Sequence, residues 1–386
     1  MMRFVYADNN ATTQVDPQVF ESMRPLLVER YGNPSSIHSF GSSVARDIEH
    51  AREQVARAIG AEHSTEIIFT SCGTESDNTA IRSALASRVG RKRIVTSRVE
   101  HPAILTMCRY LEREGYSVTQ LPVAGDGTLS LDVLREAMAD DVAVVSLMAA
   151  NNETGVLFPI EDAAAITHEH GALFHTDAVQ AVGKIPLDMK TSNVDLLSLS
   201  GHKLHAPKGI GALFVRRGRR FRPFMLGGHQ ERGRRGGTEN VSGIVALGVA
   251  AQLCEQHLPQ EQVRVRALRD RLEAGLLQIP GSRVNGNIDN RLPGTTNVSF
   301  KGVEGEAILL HLDEHGICAS SGSACTSGSL EPSHVLRAMG VPFNYAHGSI
   351  RFSLSRFNDD GDVDHILAVM SGIIERLREI SPFKSI

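Results

Sequence analysis

The chain has 386 residues, with 40 Lys and Arg against 44 Asp and Glu, a formal net charge of -4 and 41% hydrophobic residues. So nearly balanced a charge excludes a general nucleic-acid binder and leaves room only for local basic patches. No run of roughly 18 or more apolar residues offers a membrane span, and the length exceeds the usual single-domain size, so two domains in one subunit are expected.

The opening, Met1 to Asp8, carries no long apolar stretch after its basic residue, so no export signal is expected. Five cysteines, at 72, 108, 254, 318 and 325, form no CxxC and no even framework, which points to a reducing cytoplasm. From about residue 64 to 216, short apolar and β-branched runs alternate with helical patterns. Strands are expected at Glu66 to Thr70, Arg93 to Ser97, Ser117 to Leu121, Val142 to Met148, Ala172 to His175, Leu196 to Leu199 and Gly211 to Val215. Helices are expected between several of them, at Thr74 to Ser87, Ala103 to Glu114 and Ile160 to His170. This alternation is that of an α/β fold with a mostly parallel sheet, and Val142 to Leu147 is apolar on both faces, as a central parallel strand should be. Eight arginines crowd residues 216 to 235 without the aromatic interleaving used for base stacking. They are expected to serve partner docking or salt bridges at a dimer edge. A long helical pattern follows from about 241 to 278, then strand-like and loop-like pieces beyond Pro280 and a last helix at Val363 to Ile380. The expected division is a large domain over 15–257 and a smaller α+β domain made of 1–14 and 258–386.

Three motifs fall at the carboxyl ends of the strands, where α/β sheets bind ligands. Ser71-Cys72-Gly73-Thr74-Glu75-Ser76-Asp77 opens a helix with Thr74 and Asp77 at capping-box spacing, and is either a plain helix cap or a phosphate cradle. Asp177, at the end of an apolar strand in His175-Thr176-Asp177-Ala178-Val179-Gln180, is a turn residue or the partner of a cationic ring nitrogen. Lys203 lies in a turn rich in small residues and histidines, Ser198 to Gly209, where desolvation would lower its pKa; most strand-end lysines are simply solvated. Together the three make the contact set that a pyridoxal 5'-phosphate enzyme needs. Further on, Ser320 to Ser329 sets Cys325 among glycine and small hydroxyl residues, as a flexible connector or as the setting of a reachable, working thiol.

Asp8-Asn9-Asn10-Ala11-Thr12-Thr13, Tyr31-Gly32-Asn33-Pro34-Ser35-Ser36, Gly73 to Asn78, Glu100-His101-Pro102-Ala103, Asn151-Asn152-Glu153-Thr154-Gly155, the lysine turn and the Cys325 segment resemble, in order and over nearly the whole chain, those of the cysteine desulfurases. The Cys325 segment is similar to the long-loop class of that family. Cys72 before Gly73-Thr74, His229 to Arg235, and Gly237-Thr238-Glu239-Asn240 resemble its nitrogen-fixation (NifS) branch. The resemblance implies fold type I of the pyridoxal phosphate-dependent transferases, in the class V aminotransferase superfamily. That fold has a large domain with a mostly parallel seven-stranded sheet and a smaller α+β C-terminal domain carrying a mobile Cys325 loop. It also implies a homodimer that converts L-cysteine to L-alanine and passes the sulfur to Cys325 as a persulfide. The recipient would be a scaffold protein for iron–sulfur cluster assembly, in this branch for nitrogenase metalloclusters.

By the same resemblance Lys203 is the Schiff-base lysine and Cα proton shuttle, and His101 stacks on the pyridine ring and helps in acid–base steps. Asp177 pairs with the pyridine nitrogen, Gln180 and Asn152 bond the phenolic oxygen region, and Asn152 also faces the substrate. Gly73, Thr74, Ser200 and His202 hold the phosphate, Thr238 reaches the phosphate of the partner subunit, and Arg351 clamps the substrate carboxylate. The plainer alternatives are a helix-start histidine for His101 and a strand-face salt bridge for Arg351. Cys325 is in addition the candidate transient iron–sulfur ligand, through its persulfide, whereas Cys72, Cys108, Cys254 and Cys318 are read as structural. Alternative functions are a housekeeping cluster or tRNA-thiolation desulfurase, a selenocysteine lyase or aminotransferase that could dispense with Cys325, and a non-catalytic scaffold.

Overall fold

The computed structural model describes residues 3–321 and 332–381. In chain order it begins with β1 (Val5–Tyr6) and the helices α1 (Pro17–Val28) and α2 (Ser39–Ala58). Then come β2 (Ile67–Thr70), α3 (Gly73–Ser87), β3 (Arg93–Ser97), α4 (Pro102–Arg113), β4 (Ser117–Leu121), α5 (Leu131–Ala137), β5 (Val142–Ser146), α6 (Ile160–Glu169), β6 (Leu173–Asp177), β7 (Leu196–Ser200) and β8 (Gly211–Val215). A short turn of helix, α7 (Gln230–Gly233), precedes the long α8 (Val241–Leu276), and the chain closes with β9 (Ser282–Val284), β10 (Thr295–Phe300), α9 (Gly305–Glu314), β11 (Ile317–Cys318), α10 (His334–Ala338), α11 (Phe343–Ala346), β12 (Ser349–Ser353) and α12 (Asp360–Ile380).

Seven strands form the main sheet in the order β2-β8-β7-β6-β5-β3-β4. The strands from β7 through β4 run parallel, whereas β8 runs antiparallel to both β7 and β2. Residues of β5, β6, β7 and β8 are buried along their whole length, which is why these runs read as continuously apolar instead of alternating. On one face α3 and α4 lay Ala80, Ile81, Ala84, Ile104, Met107 and Leu111 against Ile68, Ile94, Val144 and Leu213. The other face carries Phe69, Val95, Val145 and Phe174 under residues of α2, α6 and the first half of α8.

A second core gathers the three-stranded antiparallel sheet β12-β10-β9, the parallel pair β1-β11 and helices α9 and α12. The N-terminal arm therefore packs on the C-terminal part of the chain, with Val5 opposite Ile317 and Asp8 bridged to Ser353. Helix α8 serves both cores: Ile244 to Cys254 lie in the first, and Val265, Leu268, Leu272 and Leu276 in the second. A boundary drawn from composition at 257/258 falls inside this one helix. Val335, Leu336, Met339 and Val341 also return to the first core. Among the described residues no helix is long and apolar enough to cross a membrane.

Candidate active site

The carboxyl ends of β6 and β7, the start of α3 and the N-terminal arm enclose a cavity of about 360 Å³. Gly73, Thr74, His101, Asn152, Asp177, Gln180, Ser200, His202, Lys203 and Arg351 all line it, drawn from six separate stretches of sequence.

One end of the cavity is built for an anion. α3 starts at Gly73 and runs 15 residues, so its first amides present the positive end of the helix. Gly73 has no room for a side chain, because a Cβ would lie 2.8 Å from Val179 Cγ2. The backbone can therefore approach a ligand there without obstruction. Ser200, 2% exposed, faces Gly73 and its Oγ has no hydrogen-bond partner among the described residues. A buried hydroxyl left unpaired costs about 1–3 kcal/mol, and a phosphate at the helix start would satisfy it. His202 Nδ1 meets Thr12 Oγ1 at 3.2 Å, and burial, then the charge of Lys203, push this imidazole down to about 4, so it is neutral at pH 7.

Deeper in, Asp177 closes β6 with Oδ1 accepting the Val179 N–H at 2.9 Å. Burial pushes its carboxyl up to about 6, and Asp77, 1% exposed on α3, is raised as well by burial and by Asp177. His175 Nε2 lies 3.6 Å from Asp77 but supplies no counter-charge, since burial pushes that imidazole down to about 3. Two buried carboxyls short of a cation suit a protonated ring nitrogen, which would restore Asp177 to its charged form. The unpaired Ser200 hydroxyl, the Gly73 cradle and Asp177 together fit pyridoxal phosphate.

Lys203 stands between these ends, its Nζ donating to the carbonyls of Asn10 at 2.5 Å and Ala11 at 2.7 Å. His101 is the N-cap of α4, its Nδ1 accepting the Ala103 N–H at 3.2 Å. It is therefore a helix-start histidine and a cavity residue at once, and the cap leaves the ring proton on Nε2. Burial, then Lys203, push His101 down to about 4, so it presents a neutral ring. Arg351, 4% exposed on β12, gives Nη2 to Asp8 at 2.7 Å and Nη1 to the Asn152 carbonyl at 3.0 Å. Here too the plain reading and the functional one coexist: Arg351 makes an internal ion pair and still lines the cavity. Gln180 Nε2 donates to the Asn10 carbonyl at 2.9 Å.

One expected site residue, Thr238, is exposed and outside the cavity. Cys325 lies outside the described residues. The flanks of the Cys325 segment are described: Ser320 pairs with the backbone of Arg351, Ser333 Oγ donates to Glu153 Oε2 at 2.5 Å, and His334 Nε2 meets the Glu100 carbonyl at 3.0 Å. The expected capping box of Thr74 and Asp77 does not form. The N-cap is Cys72, two residues before Thr74, so Glu75 is the residue that reaches back, accepting the Ser71 N–H at 2.7 Å. Part of the arginine-rich segment has partners within the chain. Arg216 bonds the Met189, Ser192 and Val194 carbonyls, Arg219 pairs with Asp195, and Arg235 pairs with Glu75. These arginines brace the ends of the main sheet from inside the chain. Sequence reasoning assigned no role to Asp8, Asn10 or Lys184; the only signal was that Asp8 and Asn10 belong to a motif shared with the desulfurases.

The model for the aminotransferase class-V family matches residues 5–366. The chain is 59% identical over 385 residues to a cysteine desulfurase of Trichormus azollae, covering 100% of this chain and 96% of that protein. It is 56% identical over 385 residues to the cysteine desulfurase NifS of Azotobacter vinelandii, with the same coverage of both chains. Among solved structures, a NifS-like protein superposes with a TM-score of 0.91 at 38% identity, over 97% of this chain and 100% of that one.

Proposed function

Because the chain belongs to the class V aminotransferases and, within them, to the cysteine desulfurases, we propose that the cavity around Lys203 is where L-cysteine is converted to L-alanine. The observation that carries this reading is the convergence of Lys203, Asp177, the Gly73 helix start and Arg351 on one cavity. When bound, pyridoxal phosphate supplies the electron sink that makes the substrate's Cα acidic.

The protein's own residues do the rest. Gly73, Thr74, Ser200 and His202 would hold the phosphate, Asp177 would keep the ring nitrogen protonated, and the neutral His101 ring would serve beside the ring. Gln180 and Asn152 would bond the ring oxygen region. Lys203 would be the attachment lysine and would carry the substrate's Cα proton, while Arg351 would receive the substrate carboxylate. Cys325 Sγ, as thiolate, attacks the substrate sulfur; the S–S bond forms, the Cβ–S bond breaks with its electron pair going to carbon, and protonation there yields alanine. Each active site is completed by Thr238 of a second copy, since within one chain Thr238 lies away from the cavity. The persulfide is delivered to an iron–sulfur assembly scaffold, the nitrogenase branch being favoured by the 56% identity to NifS. The four free cysteines among the described residues are in keeping with a cytoplasmic setting. The large domain is assigned to the main sheet and the small one to the second core, with α8 shared between them.

Incubated with L-cysteine and a thiol reductant to release the persulfide, the protein will form alanine and sulfide in equal amounts. Sulfide accompanied by pyruvate in place of alanine would refute the reading. A second expectation concerns Arg351. Truncating one partner of a buried, hydrogen-bonded charge pair costs about 2–5 kcal/mol, so Arg351→Gln should lower kcat/KM for cysteine by roughly 10²-fold, mostly through KM. The absorbance of the bound cofactor should be unchanged; an unaltered KM would remove Arg351 from the substrate site.

A further inference from the structure

A second, smaller cleft of about 50 Å³ lies between the two cores and shares Asn10 and Lys203 with the active cavity. Lys184 lines it. Its Nζ donates to Gln180 Oε1 at 2.6 Å and to Asn10 Oδ1 at 3.0 Å. Asn10 in turn receives Lys203 Nζ at 2.5 Å and Gln180 Nε2 at 2.9 Å on its carbonyl, and gives its side-chain amide to Thr295 Oγ1 at 2.9 Å and the Asn152 carbonyl at 3.2 Å. Every amide that borders Lys203 on this side is thus tied to one ammonium.

That ammonium has no carboxylate partner among the described residues. The charged groups facing it are Lys203 from the turn after β7, Arg351 from β12, and Arg356 and Glu261 across the cleft. Arg356 is itself paired with Asp16 at 2.7 Å and Glu261 at 3.4 Å, and Arg351 with Asp8 at 2.7 Å, so neither guanidinium stands as a free charge. His202 and His205 are held neutral by burial, and Cys254, buried, is pushed up to about 11 and stays a thiol. Lys184 and Lys203 share Asn10, and burial, then the charges of Lys203 and Arg351, push Lys184 down to about 7. A lysine beside another cation is a known route to an amine that is reactive at neutral pH.

We propose that Lys184 is a positioning residue of the reaction: held by Gln180 Oε1 and Asn10 Oδ1, its Nζ orients the Asn10 and Gln180 amides around Lys203. The proposal rests on Lys203 being the attachment lysine.

The test uses the cofactor-loaded enzyme and follows the pH dependence of its visible absorbance in Lys184→Met, Lys184→Gln and Lys184→Arg. In the Met and Gln variants the midpoint should shift and kcat should fall about tenfold with KM for cysteine nearly constant; Lys184→Arg, which keeps hydrogen-bond donors there, should restore the wild-type midpoint. Using two neutral variants of different polarity guards against one failing to fold. If both titrate as the wild type does, the proposal fails while the assignment of Lys203 stands. If Lys203→Ala keeps the absorbance band, the assignment of Lys203 fails instead.

Discussion

Lys203→Ala will give a folded protein that has lost the visible absorbance of attached cofactor and forms alanine from cysteine at least about 10³-fold more slowly. The magnitude follows from removing both covalent attachment and a positioned proton carrier, each worth about 10²–10⁴-fold where it has been isolated in other enzymes. Folding should survive because Lys203 is only half-buried, in a turn outside the apolar clusters. The Asn10 and Ala11 carbonyls that it satisfies border the cavity and can turn to water. A further consequence is local. Lys203 is the second cause of the low pKa of His101, after burial, so its removal should raise that pKa part of the way from about 4. An imidazole titration followed by NMR would show it. A variant that keeps its absorbance band, or makes alanine within tenfold of the wild-type rate, would overturn the role given to Lys203.

Cys325→Ala should abolish sulfide release from cysteine while leaving cofactor binding and the spectral change on adding cysteine intact. The separation is expected because the described residues that line the cavity come from β6, β7, α3 and β12 and include the groups assigned to the cofactor and the substrate carboxylate. The loss should reach about 10³-fold, since an alanine leaves no nucleophile to take the sulfur and water is a poor substitute. An ordinary thiol with a pKa of ~8.5 is only a few per cent ionised at pH 7, so catalysis through Cys325 should also quicken as pH rises toward that value. Full sulfide release by the variant would eliminate the persulfide step; alanine formed from selenocysteine but not from cysteine would confine Cys325 to the sulfur substrate.

Much of the main sheet was legible because burial on both faces leaves a simple trace, a short β-branched run. Arg93–Ser97, Ser117–Leu121 and Gly211–Val215 have the expected ends. The direction of β8 was not legible, since an antiparallel strand buried between β2 and β7 carries the same apolar run as a parallel one. Nor was the start of α3, where Cys72 takes the N-cap position without a side-chain cap and the hydroxyl pattern suggested Thr74. The internal partners of Arg216, Arg219 and Arg235 were not legible either, because sequence shows their charge but not the distant carbonyls and carboxylates, such as Asp195 and Glu75, that they meet.

For the site, the sequence by itself determined the chemistry. A lysine after an apolar strand, an aspartate ending another and a glycine opening a helix recur together only where a phosphate, a ring nitrogen and a reactive amine are handled. Their order along the chain matched that of the desulfurases. The tertiary structure alone decided what surrounds Lys203. Asn10 reaches it across 193 positions, Lys184 meets Asn10 across 174, and Asp8 meets Arg351 across 343. Such contacts leave no periodicity and no spacing to read, because they arise only when the N-terminal arm is pinned between the two cores and its amides must find partners.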